Sequence, residues 1–76
     1  MKVKSLGANK TELEIGNCVI LFSYKTPVAA FISGQGYFRT ETKWSKTTSK
    51  HINQWLNGIQ AVEREQSFFD NLIAGV

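Results

Sequence analysis

Residues 12–24, ELEIGNCVILFSY, decide the fold because they contain two strand patterns and the turn that joins them. Apolar and charged side chains alternate along residues 12–15, which is the period of a β-strand. Residues 18–24 are a run of strand-forming residues, and Gly16 and Asn17 between the two patterns suit a two-residue turn. The segment therefore predicts a β-hairpin.

The turn decides which side chains of this hairpin share a face. If Gly16 and Asn17 form it, Ile15 pairs with Cys18, and pairing continues outward along both strands. One face, the expected core, then carries Leu13, Ile15, Cys18, Ile20 and Phe22. The other face carries Glu12, Glu14, Val19 and Leu21, a mixture too apolar for full exposure and too charged for full burial. We expect this face to be partly bare, with Val19 and Leu21 available to pair in a homodimer.

A second pair of strands follows the hairpin. Pro27 lacks an N–H group and is expected to break the first ladder. Residues 28–33 are apolar enough for an internal strand, residues 34–36 supply a turn, and residues 37–42 alternate aromatic with polar side chains. These patterns predict a four-stranded antiparallel meander, with residues 2–6 as a candidate additional edge strand.

The hydrophobic period changes from that of a strand to that of a helix at residues 47–49. Thr48 or Ser49 is the expected N-cap, and Gly58 is the expected residue just past the helix end. The apolar stripe at helical spacing consists of Ile52, Trp55, Leu56 and Ile59.

A second apolar pattern predicts a short C-terminal helix that begins between Glu63 and Ser67. Its apolar members are Phe68, Phe69, Leu72 and Ile73. The sequence thus predicts an α+β fold: an antiparallel four- to five-stranded meander sheet followed by an amphipathic helix and a short C-terminal helix. We expect residues 1–76 to form a single small domain, near the lower size limit for a core without metals or disulfides.

Composition limits the compartment and the partners. Cys18 is the only cysteine, so no internal disulfide is possible and a cytoplasmic location is expected. The longest apolar run is residues 18–22, so we expect neither a signal peptide nor a membrane span. The net charge of +3 is concentrated in residues 1–10 and 37–50. This asymmetry is compatible with a polyanionic partner and equally with a solvated surface.

Enzymatic chemistry has little support in the sequence. Nucleophilic catalysis needs a nucleophile, a base and an orienting group, and His51, the only histidine, lies on the polar side of its predicted helix. Cys18 lies on the expected core face, which is typical of a small buried residue and not of a reactive thiolate. One cysteine and one histidine cannot supply the ligands of a zinc site. We expect a non-enzymatic protein without metal or cofactor.

One segment carries more polar chemistry than a small fold needs. Unpaired N–H groups and the helix dipole attract anions to a helix N-terminus, and basic residues interleaved with an aromatic side chain are typical of nucleic-acid binding. The candidate ligand-binding residues are Arg39, Lys43, Trp44, Lys46, Thr47, Thr48, Ser49, Lys50 and His51.

Each of these residues also has a structural explanation. Hydroxyl residues at a helix start are favoured by capping alone. His51 either contacts a ligand or bonds to a neighbouring loop or sheet edge, holding the helix at one angle. Trp44 either stacks on a base or forms a lid over the core. These alternatives stay open from the sequence.

Two strings occur together, FSYKTPVAAF at residues 22–31 and TETKWSKTTSKHINQWL at residues 40–56. They resemble a family of small uncharacterised proteins of tailed bacteriophages with SYxTPVA and WSxTTxxHINxWL segments. The resemblance covers about residues 15–58. It implies a viral origin and a place in the cytoplasm of an infected host cell. It implies no activity, substrate or catalytic residue.

Two functions are therefore expected as alternatives. The first is a phage accessory protein that binds nucleic acid or a nucleotide through a basic patch at the helix N-terminus, without enzymatic activity. The second is a protein-interaction module or inhibitor that acts on a host enzyme or defence complex. A homodimer is compatible with both.

Overall fold

The computed structural model describes residues 2–74, which form a six-stranded sheet and two helices. Of the predicted domain, Met1, Gly75 and Val76 lie outside the described residues. The elements in chain order are β1 (Lys2–Gly7), β2 (Lys10–Ile15), β3 (Cys18–Ser23), β4 (Thr26–Ile32), β5 (Gly36–Thr40), α1 (Lys46–Leu56), β6 (Val62–Arg64) and α2 (Gln66–Ile73). The strand order in the sheet equals the order in the chain.

The first five strands form the predicted antiparallel meander. Ile15 pairs with Cys18 across the turn, so the register predicted for the hairpin is confirmed. The candidate edge strand at residues 2–6 is also confirmed, because β1 pairs with β2 along its length. Strands β4 and β5 occupy the two predicted positions with slightly shifted bounds.

The prediction of a four- to five-stranded, purely antiparallel sheet is wrong at its far edge. Strand β6 pairs with β5 in parallel, through Phe38 and Val62, Arg39 and Glu63, and Thr40 and Arg64. Parallel neighbours need a long crossover, and α1 lies within the connection between them. A strand of three residues has too few positions to show a period of two, so the sequence pattern did not reveal it.

The expectation that Pro27 breaks the ladder is also wrong. Pro27 lies inside β4 and pairs with Phe22, whereas Ala29 pairs with Leu21, so Val28 is an extra residue on β4. This β-bulge allows a residue without an N–H group to stay within the sheet. It also places Val28 and Ala29 in the same apolar cluster although they are consecutive.

The sheet is buried on both faces, not on one. One face packs against α2, and its buried residues are Ile20, Ala30, Ile32, Phe38 and Phe69. The other face packs against α1, and its buried residues are Leu21, Val28, Ala29, Ile52 and Leu56. The face that carries Val19 and Leu21 is therefore a second core.

Of the two residues that we expected to pair in a homodimer, Val19 and Leu21, one is not available. Leu21 is fully buried inside the protein, beneath α1, so it cannot pair with a second copy. Cys18 is half-buried and packs against the α2 cluster, close to the expectation of a small buried residue.

Helix α1 begins earlier than the sequence indicated. Its N-cap is Ser45, whose Oγ accepts a hydrogen bond from the backbone N–H of Thr48 at 3.1 Å. Thr48 and Ser49 therefore lie inside the helix and not at its cap. The helix ends at Leu56, and its C-cap is Asn57, which has a left-handed φ of 49°. Ile59 lies beyond the helix and is exposed.

Helix α2 begins at Gln66, within the predicted window, and buries Phe69 completely. Residues 2–74 contain no helix of the length and apolar character that would allow it to cross a membrane.

Replacing Leu21 with Ala tests whether the α1 face is a true core. Deletion of a fully buried leucine side chain should lower the free energy of unfolding by about 3 kcal/mol, measured by urea denaturation. Val3→Ala is the control, because Val3 is exposed on the edge strand and should change stability by less than about 0.5 kcal/mol. Similar small effects in both variants would contradict burial of this face.

The position of the N-cap is tested by a pair of serine variants. Ser45→Ala should cost about 1 kcal/mol of stability, because the N–H of Thr48 loses its acceptor. Ser49→Ala should be near neutral, because Ser49 lies inside the helix and alanine favours that position. Thermal unfolding of both variants decides between the two N-cap positions. A larger loss of stability from Ser49→Ala than from Ser45→Ala would place the N-cap at Ser49.

Candidate functional site

An open groove runs along the exposed side of α1 and has a volume of about 780 Å³. The first turns of α1 supply one wall, and the segment just before the helix supplies the other. The lining residues are Lys43, Trp44, Ser45, Lys46, Ser49, Lys50, Asn53 and Gln54. Five of them belong to the predicted set of ligand-binding residues, so the fold brings together much of the segment that the sequence singled out.

Trp44 is held in place at this groove although half of it is exposed. Its Nε1 donates a hydrogen bond to Oε1 of Gln66 at 3.1 Å. The same oxygen accepts from Oγ1 of Thr40, and the amide nitrogen of Gln66 donates to the carbonyl oxygen of Pro27. Gln66 therefore joins β4, β5, the segment before α1 and the start of α2. Trp44 belongs to neither buried cluster, and half of its surface is open to solvent.

The groove is positively charged and contains no acidic lining residue. Within residues 2–74, the only ion pair joins Arg64 and Glu65 at 3.9 Å, so the groove lysines are not neutralised by a partner. Arg39 lies next to the groove, because its Nη1 donates to Oδ1 of Asn53 at 3.2 Å. Asn53 was not among the predicted residues, and it connects the arginine to the lysines.

Four predicted residues do not line the groove, and one of them, Arg39, lies next to it. Thr47 is exposed but lies outside it. Thr48 and His51 are buried, with exposed fractions of 5% and 8%, so His51 does not face solvent although it lies on the polar side of its predicted helix. The physical reason is that these two side chains face polar groups of the sheet and not solvent.

A chain of hydrogen bonds joins the start of α1 to the end of β3. Nδ1 of His51 lies 2.8 Å from Oγ of Ser23, and the same Oγ lies 3.0 Å from Oγ1 of Thr48. Oγ of Ser45 donates to Oγ1 of Thr48 at 3.3 Å. Ser23 is almost fully buried, so this is a buried polar network with its partners in place. His51 thus has the structural role that the sequence left open, namely to hold the helix against the sheet.

The surroundings of His51 favour its neutral form. Burial lowers the pKa of His51 below its usual value of 6.5, and the positive charges of Lys10 and Lys50 lower it further. A neutral imidazole accepts a hydrogen bond at one ring nitrogen and donates from the other. With Nδ1 as acceptor, the hydroxyl groups of Ser45, Thr48 and Ser23 can all donate in one direction toward the ring.

A second concavity, which we call the cleft, lies between α1 and the face of the sheet that packs against this helix. Its volume is about 520 Å³, and its lining residues are Leu6, Lys10, Glu12, Val19, Phe31, Tyr37, His51, Gln54 and Trp55. Of these, only His51 was a predicted site residue. The available signal in the sequence is the mixed apolar and charged character of the face that carries Glu12 and Val19, which also suits a dimer surface.

Comparisons with known proteins give a family and no function. The family described as Family of unknown function (DUF8033) matches residues 1–71. No curated protein and no solved structure matches the chain.

The state of His51 predicts how stability depends on pH. Because its pKa is lower in the folded protein than in the unfolded chain, the unfolded chain binds the proton more readily. The free energy of unfolding should therefore be highest above about pH 7 and fall as the pH drops through about 6.5. Urea denaturation at pH 7.5 and pH 5.5 measures this loss.

His51→Asn is the matched variant, because the asparagine amide can bond to Ser23 near the position of Nδ1 but does not titrate. It should lose less stability than the wild type between these two pH values. Equal losses in the two proteins would show that the pH dependence comes from other groups.

Proposed function

Since this chain belongs to DUF8033, a family of unknown function, we propose from its own residues that it binds single-stranded nucleic acid in the groove, without enzymatic activity. The resemblance to tailed-phage proteins favours a viral origin and a place in the cytoplasm of an infected host cell. The remaining support comes from the groove.

The observation that carries this proposal is an exposed tryptophan fixed between lysines. The ring of Trp44 is half exposed, and the bond from its Nε1 to Gln66 limits its motion. An aromatic ring that is already held in place loses little conformational entropy when a base stacks on it. Stacking of one base on such a ring contributes about 1–3 kcal/mol.

Phosphate groups would lie along the first turns of α1. Lys43, Lys46 and Lys50 line the groove without acidic neighbours among its lining residues. Helical geometry leaves the N–H groups of Lys46 and Thr47 without intrahelical acceptors, and the helix dipole adds partial positive charge there. The groove therefore combines backbone and side-chain donors for a phosphodiester chain.

The arrangement favours single strands over duplexes. Stacking on Trp44 needs a base with a free face, and the bases of a duplex already stack on each other. The groove is open and not closed, so a chain can enter and leave at its ends. A closed pocket would instead suit a free nucleotide.

Affinity should be modest and strongly dependent on salt. With Arg39 beside the groove, about four positive charges are available. For single strands the logarithm of the binding constant then changes with the logarithm of salt concentration with a slope of about −3.

The proposal predicts that fluorescently labelled single-stranded oligonucleotides bind at low ionic strength, as measured by fluorescence anisotropy. The variant with Lys43, Lys46 and Lys50 all changed to Gln should bind at least about tenfold more weakly, with a salt slope smaller by about 2. The control changes Lys2, Lys4 and Lys25 to Gln, because these exposed lysines lie outside the groove.

The two triple variants carry the same net charge. A difference in their affinity for the oligonucleotide therefore reports a specific site and not attraction to the net charge of the protein. Equal losses of affinity in both would mean that net charge alone binds the oligonucleotide. An absence of binding by the wild type at low ionic strength would refute the proposal.

A further inference from the structure

The floor of the cleft is apolar but belongs to neither buried cluster. Val19 of β3 and Phe31 of β4 are directly opposite each other in the sheet and are only half-buried. Among residues 2–74, neither packs into the α1 cluster or the α2 cluster. Such residues add apolar surface to a concavity without adding to a core, which is typical of a ligand site.

The walls of the cleft are aromatic. The ring centroids of Phe31 and Tyr37 are 4.7 Å apart, and those of Tyr37 and Trp55 are 5.9 Å apart. The three rings meet at inclined angles, so a flat ligand that enters the cleft can stack on one ring and touch the edge of another. The shape and the lining therefore favour a planar ring over an aliphatic chain.

The polar side chains around these rings are already held in position. Nε1 of Trp55 donates to Oε1 of Glu12 at 2.9 Å, and Nζ of Lys10 donates to Oε1 of Gln54 at 3.1 Å. Neither bond uses the second carboxylate oxygen of Glu12 or the amide nitrogen of Gln54. The hydrogen bond that His51 accepts from Ser23 uses Nδ1 and not Nε2. The cleft thus offers an acceptor and two donors beside the three inclined rings.

We infer that the cleft binds a nucleobase that stacks on one of the two rings of Tyr37 and Trp55, touches the edge of the other, and is held at its own edge by Glu12 and Gln54. The volume of about 520 Å³ lies within the range of small-molecule sites. A nucleobase has the planar faces that the rings need and the donor and acceptor edge that the polar side chains need. The base can come from a free nucleoside or from a bound strand.

The connection with the groove favours a base of a bound strand. Gln54 lines both the groove and the cleft, so the two concavities meet on one side of α1. A strand whose phosphates follow the lysines of the groove would bring the next base to the mouth of the cleft. Binding of a base that belongs to a strand in the groove rests on the proposed function. Binding of a free nucleoside in the cleft does not rest on it.

Glu12 sets the expected preference among bases. An ionised carboxylate only accepts hydrogen bonds, so it favours a base with an amino group at its edge. Cytosine has such a group at N4, where uracil has a carbonyl oxygen. Cytidine should therefore bind more tightly than uridine, although the two nucleosides are almost equal in size.

The two tryptophans allow each site to be observed separately. In Trp44→Phe, Trp55 is the only tryptophan, and its fluorescence reports on the cleft. In Trp55→Phe, Trp44 reports on the groove. We expect cytidine to quench the fluorescence of Trp44→Phe in a saturable way, with uridine at least about fivefold weaker.

Two further variants, made in the Trp44→Phe protein, test the geometry. Val19→Phe fills the floor of the cleft and should weaken cytidine binding at least about tenfold. Val62→Phe is its matched control, because Val62 is exposed on β6 and lies outside the cleft. Glu12→Gln keeps an acceptor for Trp55 but adds a donor, so it should reduce the preference for cytidine over uridine.

The outcomes separate this inference from the proposed function. Quenching by cytidine that Val19→Phe removes supports the cleft, even if no oligonucleotide binds in the groove. Oligonucleotide binding without any effect of cytidine or Val19→Phe on Trp55 overturns the inference and leaves the groove intact. Self-association that Val19→Phe abolishes, seen by sedimentation without nucleoside, also overturns it, because a second copy would then occupy the cleft.

Discussion

The buried hydrogen bonds between Ser23, Thr48 and His51 determine where α1 sits on the sheet. Apolar burial alone would let an amphipathic helix slide or rotate, because contacts between apolar side chains have little directional preference. Hydrogen bonds between buried groups are directional, and leaving one unmade costs about 1–3 kcal/mol. The groove and the cleft are both bounded by α1. The geometry of both candidate sites therefore depends on one small polar network in an otherwise apolar interface.

Because both faces of the sheet are covered by a helix, this short chain buries two apolar clusters and not one. Strands β3 and β4 lie in the middle of the sheet, and nearly every residue in them is at least half-buried. Consecutive residues such as Ile20 and Leu21 point to opposite faces and are both fully buried. The bulge at Val28 adds one more apolar side chain to the α1 side. The continuous apolar run of β3 is the pattern of a strand with a helix on each side.

The sequence predicts those features that local patterns determine. The hairpin register follows from one turn, and the start of α2 follows from one apolar period, and both are confirmed. The burial of His51 could not be predicted, because helical spacing shows which residues are polar but not which ones find polar partners on another element. For the same reason the cleft was missed, since its residues come from five strands and a helix. The lysines around Trp44 are close in the sequence, so the groove was the part of the site that local reasoning could identify.

Gln66 connects the two helices through hydrogen bonds, whereas each apolar cluster contains only one of the helices. Its side chain is the first of α2, and it bonds to Trp44 in the segment that leads into α1 and to the backbone of β4. Local opening of α2 would therefore free the tryptophan ring, and a ligand stacked on that ring would oppose the opening. In hydrogen-exchange terms, we expect the amides of α2 and those at the start of α1 to open together as one cooperative unit. The two faces of the sheet, which share no buried side chain, are coupled through a single amide at their border.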